Sequence, residues 1–319
     1  MKEIRFTDID SIKVGNAQNL KAATGCTVII CEEGATGGVD VRGGSPGTRE
    51  TDLLRPENLV DKIHAVVLSG GSAFGLDAAS GVMKYLEEND IGFDVQVTKV
   101  PIVCSAVLFD LVVGDYNVRP DFDMGYSAAK NANNKEIQSG NIGAGTGATV
   151  GKLLGVGRAM KGGLGSYAVQ VGDLKVGAIV AVNCLGDVID PKTGKILAGL
   201  LDEKGEKLIG TENILIENYN ERKNIFSGNT TIGVVATNGI FTKAEANKLA
   251  SMSHNGYARA MRPAHTIFDG DTIFTMATGK VEADINVVGL LAARTMEMAI
   301  VDAIKSAKSA FGFKAWGNV

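Results

Sequence analysis

Asn229, Thr230 and Thr231 lie at the junction between a polar stretch, residues 201–228, and the apolar run Ile232–Ala236. A threonine hydroxyl is a weak nucleophile at neutral pH and needs a base beside it. If the chain were cut before Thr230, the freed α-amine would lie next to that hydroxyl and could act as the base. From the spacing alone, the simpler interpretation is a turn followed by two β-branched strand residues. Chemistry at this segment therefore needs support from other residues.

Two aspartates, Asp269 and Asp271, flank Gly270 and precede a β-prone run. Residues two apart on an extended strand project from the same face, so the two carboxylates should interact and the pKa of one should rise. Such a pair would provide one carboxylate that orients a reacting group and one that moves a proton. The alternative is an Asx-capped turn at a strand entrance. A calcium loop is not supported, because Ile273 and Phe274 occupy the positions of its next ligand and its glycine.

Two glycine-rich motifs approach catalytic signatures without matching them. Residues 68–74 form a strand–turn–helix pattern around Ser72, but a nucleophile elbow requires glycine in place of Phe74. We interpret this motif as a turn whose helix amino terminus offers N–H groups to the active site or to the structure. Residues 145–152 have five residues between the glycines of a phosphate-binding loop instead of four, and Leu153 replaces its Ser or Thr. ATP or GTP binding is not supported.

The charge and composition indicate the partners of the protein. The net charge is −4 and no basic stripe is present, which argues against nucleic acid as a partner. The amino terminus, MKEIRFTDID, lacks the apolar core of a signal peptide, and no apolar run approaches the ~18 residues of a membrane span. We therefore expect a cytoplasmic protein with no membrane partner.

The cysteines and histidines indicate neither disulfides nor a metal site. Four cysteines are scattered without C-x-x-C spacing, which predicts buried, reduced side chains. The three histidines, His64, His254 and His265, show no metal-ligand spacing. A metallohydrolase is disfavoured, and we expect no metal and no other cofactor.

Strand and helix patterns alternate along the 319 residues, which are enough for one large domain or two ordinary ones. The alternation predicts an α/β or α+β protein. The polar stretch 201–228 predicts a surface loop, or a linker that can be cleaved. Apolar runs predict strands covered on both faces, and apolar stripes predict helices, the second of which begins with a capping box from Thr242 to Glu245. The predicted strands are Thr27–Ile30, Ala65–Leu68, Val176–Val182 and Ile232–Ala236, and the predicted helices are Ala73–Glu88, Lys243–Ser253 and Ile285–Ala310.

Residues 38–52 (GVDVRGGSPGTRETD) resemble the amino-terminal signature of the DmpA/BapA aminopeptidase family, which includes the nylon-oligomer (6-aminohexanoate oligomer) hydrolases. The resemblance implies a layered α/β fold, an αββα sandwich close to the N-terminal-nucleophile hydrolases. It also implies one domain, 1–319, that cuts itself into an α chain of residues 1–229 and a β chain of residues 230–319. Further blocks agree over nearly the whole chain: 68–79, 100–111, 143–153, 162–176, 229–237 and 269–274.

The match is sharper with the nylon-oligomer hydrolases, in which cleavage falls between Asn and Thr and two nearby aspartates assist. The β-aminopeptidase branch has Gly-Ser at the scissile bond and a Ser/Glu pair, which this chain lacks, so ready hydrolysis of β-amino-acid amides is not implied. Family members assemble as homo-oligomers of processed units, and the expected substrate is a small peptide or amide. The residues that match are the cleavage site Asn229–Thr230, the nucleophile Thr230, the pair Asp269 and Asp271, an assisting Lys152 and an oxyanion-stabilising Asn183.

These residues suggest a chemical sequence. Before the cut no free amine exists, so an aspartate would assist the attack of the Thr230 hydroxyl on the Asn229 carbonyl, and water would open the resulting ester. Lys152 would keep the site electropositive. Asn183 would donate to the tetrahedral oxyanion, and losing one such donor costs on the order of 3 kcal/mol.

Two other functions fit parts of the sequence. An acyltransferase of the ornithine acetyltransferase type shares a similar fold and cuts itself before threonine, but its surrounding blocks are absent. A binding protein that kept the fold and lost the chemistry would have no reason to retain Thr230, Lys152 and both aspartates together.

The aspartate pair gives a first test. As a catalytic pair, Asp269→Asn or Asp271→Asn should slow self-cleavage and lower amide turnover by roughly 10²-fold or more, the usual scale for a missing general acid or base. As a capped turn, both variants should react almost normally, because asparagine caps turns about as well as aspartate. Cleavage half-times and hydrolysis rates of the two variants distinguish these outcomes.

Overall fold

The structure, a computed structural model, describes residues 1–219 and 228–319. Its strands are β1 Lys2–Ile4, β2 Ile12–Asn19, β3 Thr24–Val41, β4 Thr48–Arg49, β5 Lys62–Ser69, β6 Phe93–Asp94, β7 Lys99–Val100, β8 Val103–Val107, β9 Thr149–Val150, β10 Met160–Lys161, β11 Gly163–Val171, β12 Leu174–Asn183, β13 Asp187–Ile189, β14 Ile196–Ala198, β15 Thr230–Gly239, β16 Met261–Arg262 and β17 Thr272–Val281. Its α-helices are α1 Ala78–Glu88, α2 Phe122–Lys130, α3 Thr211–Glu217, α4 Lys243–Ala260 and α5 Ile285–Ser306.

Ten strands form one sheet in the order β1–β11–β12–β15–β17–β3–β5–β8–β4, with β2 paired to β3 outside this path. The neighbours are antiparallel except for two parallel pairs, β15 with β17 and β5 with β8. Strand β3 has 18 residues. It pairs with β2 and β5 through its earlier part and with β17 through its last part. The long strand β3 therefore joins the two halves of the sheet.

Three hydrophobic cores separate the layers. One core lies between helices α4 and α5 and one face of the sheet and includes Val180 and Ile300. Another lies under α1 and α2 and includes Val28 and Val82. Between them, a third core contains residues from both halves of the sheet and no residue of these four helices. Four layers result, helix–sheet–sheet–helix, which confirms the αββα architecture and the prediction of strands buried on both faces.

Alternation along each central strand produces this layering. In β12, Ala178 and Val180 face the core under α4 and α5, while Ile179 and Ala181 face the core between the two halves of the sheet. Both faces are apolar, so the sequence shows a continuous hydrophobic run instead of an alternating one. The side chains of the four cysteines are buried and form no disulfide, as the sequence predicted.

The four predicted strands are confirmed and extend further than their most apolar segments. The capping box of Thr242 and Glu245 is also present, at the start of α4. The helix predicted from residue 73 begins instead as a 3-10 helix over Ser72–Asp77 before α1. Helix α5 ends at Ser306, short of the predicted Ala310, and is largely buried. In the parts of the chain that are described, no helix combines the length and the apolarity needed to cross a bilayer.

The polar stretch 201–228 is not wholly a loop, because residues 211–217 form helix α3. The buried carboxylate of Asp187 holds the start of this helix: it accepts hydrogen bonds from the N–H of Thr211 at 2.5 Å and from its hydroxyl at 2.6 Å. That contact joins residues 24 positions apart, so local sequence patterns could not reveal it. The part of the predicted linker at 220–227 lies outside the described residues.

Helix α5 lies so close to β11 that only glycine fits at position 165. A Cβ atom there would lie 2.2 Å from the Ala299 carbonyl oxygen and 2.3 Å from the Ala303 nitrogen. We expect Gly165→Ala to lower the free energy of unfolding by about 1–3 kcal/mol, since the helix must shift to relieve the overlap. Gly157→Ala, where a Cβ atom meets nothing within 4 Å, is the matched control and should change it by less than about 0.5 kcal/mol. Denaturant titration measures both, and equal effects would contradict the assignment.

Candidate active site

The register of three central strands brings the predicted residues together. Thr230, the first residue of β15, pairs with Asn183, the last residue of β12. One position earlier, Asn229 forms a parallel bridge with Asp269, just ahead of β17. The end of β12 and the starts of β15 and β17 therefore meet at the same end of the sheet, where their backbone groups and side chains converge.

The candidate nucleophile lies against the bond it would cut. Thr230 is 5% exposed, and its hydroxyl contacts the carbonyl oxygen of Asn229. The same oxygen accepts a hydrogen bond from the N–H of Gly270 at 2.9 Å. A donor in this position stabilises negative charge that develops on the oxygen when the carbonyl is attacked. Glycine is needed here, because a Cβ atom at position 270 would lie 2.7 Å from the Thr230 hydroxyl oxygen.

Asp269 is buried and directly precedes Gly270, the donor to this carbonyl. One carboxylate oxygen accepts from the N–H of Leu185 at 3.2 Å, and the other accepts from the N–H of Thr266 at 3.0 Å and its hydroxyl at 2.5 Å. Burial and the negative charge of Asp271 raise the pKa of Asp269 to about 6, against the opposite effect of these hydrogen bonds. The predicted interaction between the two carboxylates is present, and Asp269 also caps its own turn through Thr266.

Asp271 reaches two other parts of the backbone. Its Oδ1 accepts from the N–H of Thr231 at 2.8 Å. Its Oδ2 accepts from the N–H of His265 at 3.0 Å and lies 2.9 Å from Nδ1 of the same histidine. The pair thus does more than cap a turn, because Asp271 fixes the residue that follows the candidate nucleophile.

Lys152 supplies the amine of the site. It is 2% exposed, and its Nζ donates to the backbone oxygen of Asn183 at 2.9 Å, to the side-chain oxygen of Asn183 at 2.9 Å and to the Gly228 carbonyl at 3.3 Å. Burial lowers the pKa of Lys152 to about 7, although the negative charge of Asp269 acts in the opposite direction. A lysine with this pKa can gain or lose a proton near neutral pH.

Asn183 fixes the lysine and a neighbouring loop. Its side-chain oxygen accepts from Lys152 and from the N–H of Thr149 at 3.0 Å, and its Nδ2 donates to the Phe109 carbonyl at 3.1 Å. The N–H that binds the Asn229 carbonyl oxygen in this structure comes from Gly270. Contacts therefore link five of the six predicted residues, and Asp271 joins them through the N–H of Thr231. The amide donor of Asn183 is directed at Phe109.

A cavity of about 170 Å³ opens beside Thr230. No charged side chain is present among its described lining residues, which are Ser45, Pro46, Gly47, Ser72, Ala73, Val107, Leu108, Phe109, Gly228, Asn229, Thr230 and Phe268. A larger cavity, about 540 Å³, lies beside β1 and β11, but it contains none of the predicted residues and mixes both signs of charge. The smaller cavity is therefore the candidate substrate site.

The turn at Ser72 forms one wall of the smaller cavity. Its backbone is left-handed at both Gly71 (φ 80) and Ser72 (φ 53). The N–H of Gly71 donates to the buried carboxylate of Asp110 at 2.7 Å, and the N–H of Ser72 donates to the Leu108 carbonyl at 2.9 Å. The sequence left open whether such N–H groups serve the active site or the structure, and the N–H groups of Gly71 and Ser72 both serve the structure.

Residue type and spacing did not predict the contributions of His265 and Phe109. The spacing of His265 bears only on metal binding, and within residues 1–219 and 228–319 no group of three His, Cys, Asp or Glu side chains is arranged to hold a metal ion. Its position four residues before the block 269–274, which contains both aspartates, was the available signal. Phe109 is apolar and gave no chemical signal.

Comparison with known proteins places the chain among peptidases. Residues 5–316 match the model of peptidase family S58. An uncharacterized aminopeptidase of Mycobacterium tuberculosis (strain H37Rv) is 42% identical over 316 residues, covering 95% of this chain and 89% of the relative. A 6-aminohexanoate-oligomer endohydrolase of Kocuria sp. (strain KY2) is 30% identical over 321 residues, covering 95% and 86%.

A solved structure shows the same fold. The L-aminopeptidase D-Ala-esterase/amidase from Ochrobactrum anthropi, described as a variant of the Ntn hydrolase fold, aligns with a TM-score of 0.73 at 17% identity. The alignment covers 96% of this chain and 88% of that one. The layered arrangement derived above is therefore of the Ntn hydrolase fold.

The buried lysine predicts a pH-dependent stability difference. The folded protein holds the Lys152 proton only below about pH 7, whereas the unfolded chain keeps it up to the ordinary lysine pKa of 10.5. Burial of the ammonium therefore costs stability below pH 7, and that cost disappears as the pH rises toward 10.5. We expect Lys152→Met to be more favourable relative to its parent at pH 6 than at pH 9.

Denaturant unfolding in a Thr230→Ala background, which removes the candidate nucleophile, measures this difference. Lys248→Met, at an exposed position of α4, is the control and should show the same small effect at both pH values. An equal Lys152→Met effect at pH 6 and pH 9 would refute the assigned pKa shift.

Proposed function

Since the chain belongs to peptidase family S58 and is a hydrolase that acts on amide bonds, we propose that it cuts itself between Asn229 and Thr230 and then uses Thr230 as its nucleophile. The observation that carries the proposal is the contact of the Thr230 hydroxyl with the Asn229 carbonyl, whose oxygen already accepts the N–H of Gly270. The products would be an α chain, 1–229, and a β chain, 230–319.

In the first reaction the Thr230 hydroxyl oxygen attacks the Asn229 carbonyl carbon. Asp269 is the candidate base, because it pairs with Asn229 across the strands and its pKa of about 6 lets it take up the proton and return it. The Gly270 N–H stabilises the oxyanion. The C–N bond then breaks, the nitrogen of Thr230 takes the proton and becomes a free amine, and water hydrolyses the ester to release the Asn229 carboxylate.

In the second reaction the new α-amine of Thr230 acts as the base for its own hydroxyl, directly or through a water molecule. The hydroxyl attacks the carbonyl of an amide substrate, the leaving amine takes the proton, and water opens the acyl ester. Lys152 contacts the Gly228 carbonyl in the uncut chain, so departure of that segment frees one of its donors. We assign this donor to the substrate, with Asn183 holding the lysine in place.

The uncut chain indicates where the acyl part of a substrate lies. Gly228 and Asn229 are on the acyl side of the bond to be cut, and they line the cavity together with Phe109 and Phe268. Gly228 packs on Phe109 so closely that a Cβ atom would lie 2.2 Å from the ring. Because the described lining is uncharged, we propose small peptides, amino-acid amides or oligoamides whose acyl segment is neutral near the scissile bond. The oligoamide class agrees with the name of the endohydrolase relative.

Self-processing is tested on denaturing gels. Purified wild-type protein should run as two fragments, and sequencing of the smaller fragment should begin Thr-Thr-Ile-Gly. Thr230→Ala should remain full length and inactive, because only Thr230 gains an amine beside its hydroxyl. Thr231→Ala is the matched control: it changes the adjacent threonine, and the backbone N–H that binds Asp271 is kept.

Hydrolysis is then measured with a panel of amides, with and without an added acyl acceptor, and with free or acetylated amino termini. We expect the products to be free acids, and we expect amides with acetylated amino termini to be hydrolysed as well. Acyl transfer to the acceptor would identify the ornithine acetyltransferase type instead. Wild-type protein that stays full length while hydrolysing amides would refute the proposal, and Ser72→Ala that is processed but inactive would return the nucleophile to Ser72.

A further inference from the structure

His265 contacts the carboxylate of Asp271 twice. Its backbone N–H lies 3.0 Å from Oδ2 and its ring Nδ1 lies 2.9 Å from the same oxygen. Both contacts are possible because the backbone of His265 is left-handed, with φ 58. This conformation is uncommon for a residue other than glycine, and histidine is among those that adopt it more often. The local backbone is thus shaped so that one residue provides two donors to one oxygen.

The ring is held by its neighbours as well. It stacks on Tyr257 of α4, with ring centroids 5.8 Å apart and planes at 25°. It meets His254 of the same helix edge-on, at 4.8 Å. The hydroxyl of Tyr257 donates to the Thr231 carbonyl at 3.2 Å. Helix α4 therefore supports both the imidazole and the backbone that follows the candidate nucleophile.

We propose that His265 is a positioning residue, which fixes the carboxylate of Asp271 so that its other oxygen stays on the N–H of Thr231. This inference rests on the proposed function, in which Thr230 is the nucleophile. Asp271 Oδ1 binds the N–H of Thr231 at 2.8 Å, one residue from the reacting hydroxyl. Two donors on Oδ2 prevent the carboxylate from rotating away. His265 thereby acts on the reaction through Asp271, without touching the reacting atoms.

The protonation of the ring follows from its partner. An ionised carboxylate only accepts hydrogen bonds, so Nδ1 of His265 carries a proton and donates it. His254 adds no positive charge at neutral pH, because burial lowers the pKa of His254 to about 4. The titratable groups that interact electrostatically with Asp271 are Asp269, Cys184 and Tyr257. Those that interact with His254 are His265, Asp40 and Arg42.

Two substitutions separate the ring donor from the rest of the residue. Asparagine tolerates the left-handed backbone, and its side-chain amide can place an N–H close to the position of Nδ1, so His265→Asn keeps the donor. Glycine accepts the same backbone and keeps the backbone N–H, but His265→Gly loses the ring donor. Both are made in the full-length chain, and the self-cleavage half-time and the amide kcat are measured between pH 5 and 9.

We expect His265→Asn to stay within about threefold of wild type and His265→Gly to be slower by about tenfold or more, the effect of losing one hydrogen bond to a charged group. A purely structural role would lower the thermal midpoint of both variants and slow both to the same degree, so recovery of the rate by asparagine alone marks the ring donor.

Three outcomes overturn the proposal. If His265→Gly matches wild type in both rates, the ring does not position Asp271. If His265→Asn is as slow as His265→Gly, the imidazole itself takes part in proton transfer. If the wild-type chain is not cut at all, the proposed function fails together with this inference, whereas a cut wild-type chain with an unaffected glycine variant refutes only the role of His265.

Discussion

The hydrogen-bond register of β15 between β12 and β17 is the constraint on which the site depends. It sets Thr230 opposite Asn183 and places Asn229 beside Asp269, so three distant parts of the chain meet within bonding distance. A shift by one residue would turn every side chain of the strand to the opposite face. Because both faces of these strands are packed against hydrophobic cores, such a shift would be costly, and the sheet fixes the geometry of the candidate site.

Burial of ionisable groups in this frame explains their chemistry. Lys152 and Asp269 are removed from water, which moves their pKa values to about 7 and about 6, within the range in which the proposed proton transfers would take place. Such groups are costly to bury, and the structure offsets the cost with hydrogen bonds from or to fixed backbone groups. Asp110, on the far side of the Ser72 turn, shows the same effect, since burial raises its pKa to about 6. The strand register thus fixes the positions of the candidate residues, and burial gives two of them pKa values near neutral pH.

Much of the fold was accessible from the sequence because its signals are local. Continuous apolar runs predicted strands with both faces covered, and Thr242 with Glu245 predicted the start of a helix. Helix α3 was missed, because its start is held by Asp187 from a distant strand and its own residues are polar. The turn at Ser72 was predicted from the sequence. Its hydrogen bonds, from the N–H groups of Gly71 and Ser72 to Asp110 and Leu108, could be identified only in the folded chain.

The sequence by itself determined which residues were candidates, since Asn229, Thr230 and the Asp269–Asp271 pair are recognisable from residue type and spacing within blocks that resemble a known family. The roles suggested for them stay proposals. Only the tertiary structure decided how they face one another: Gly270 directs its N–H at the Asn229 carbonyl, Asn183 turns its amide donor to Phe109, and His265 binds Asp271. The physical reason is that a hydrogen bond requires a defined direction and a donor–acceptor distance held to within a few tenths of an ångström. Pairing across the sheet fixes both quantities, whereas spacing along the sequence specifies neither.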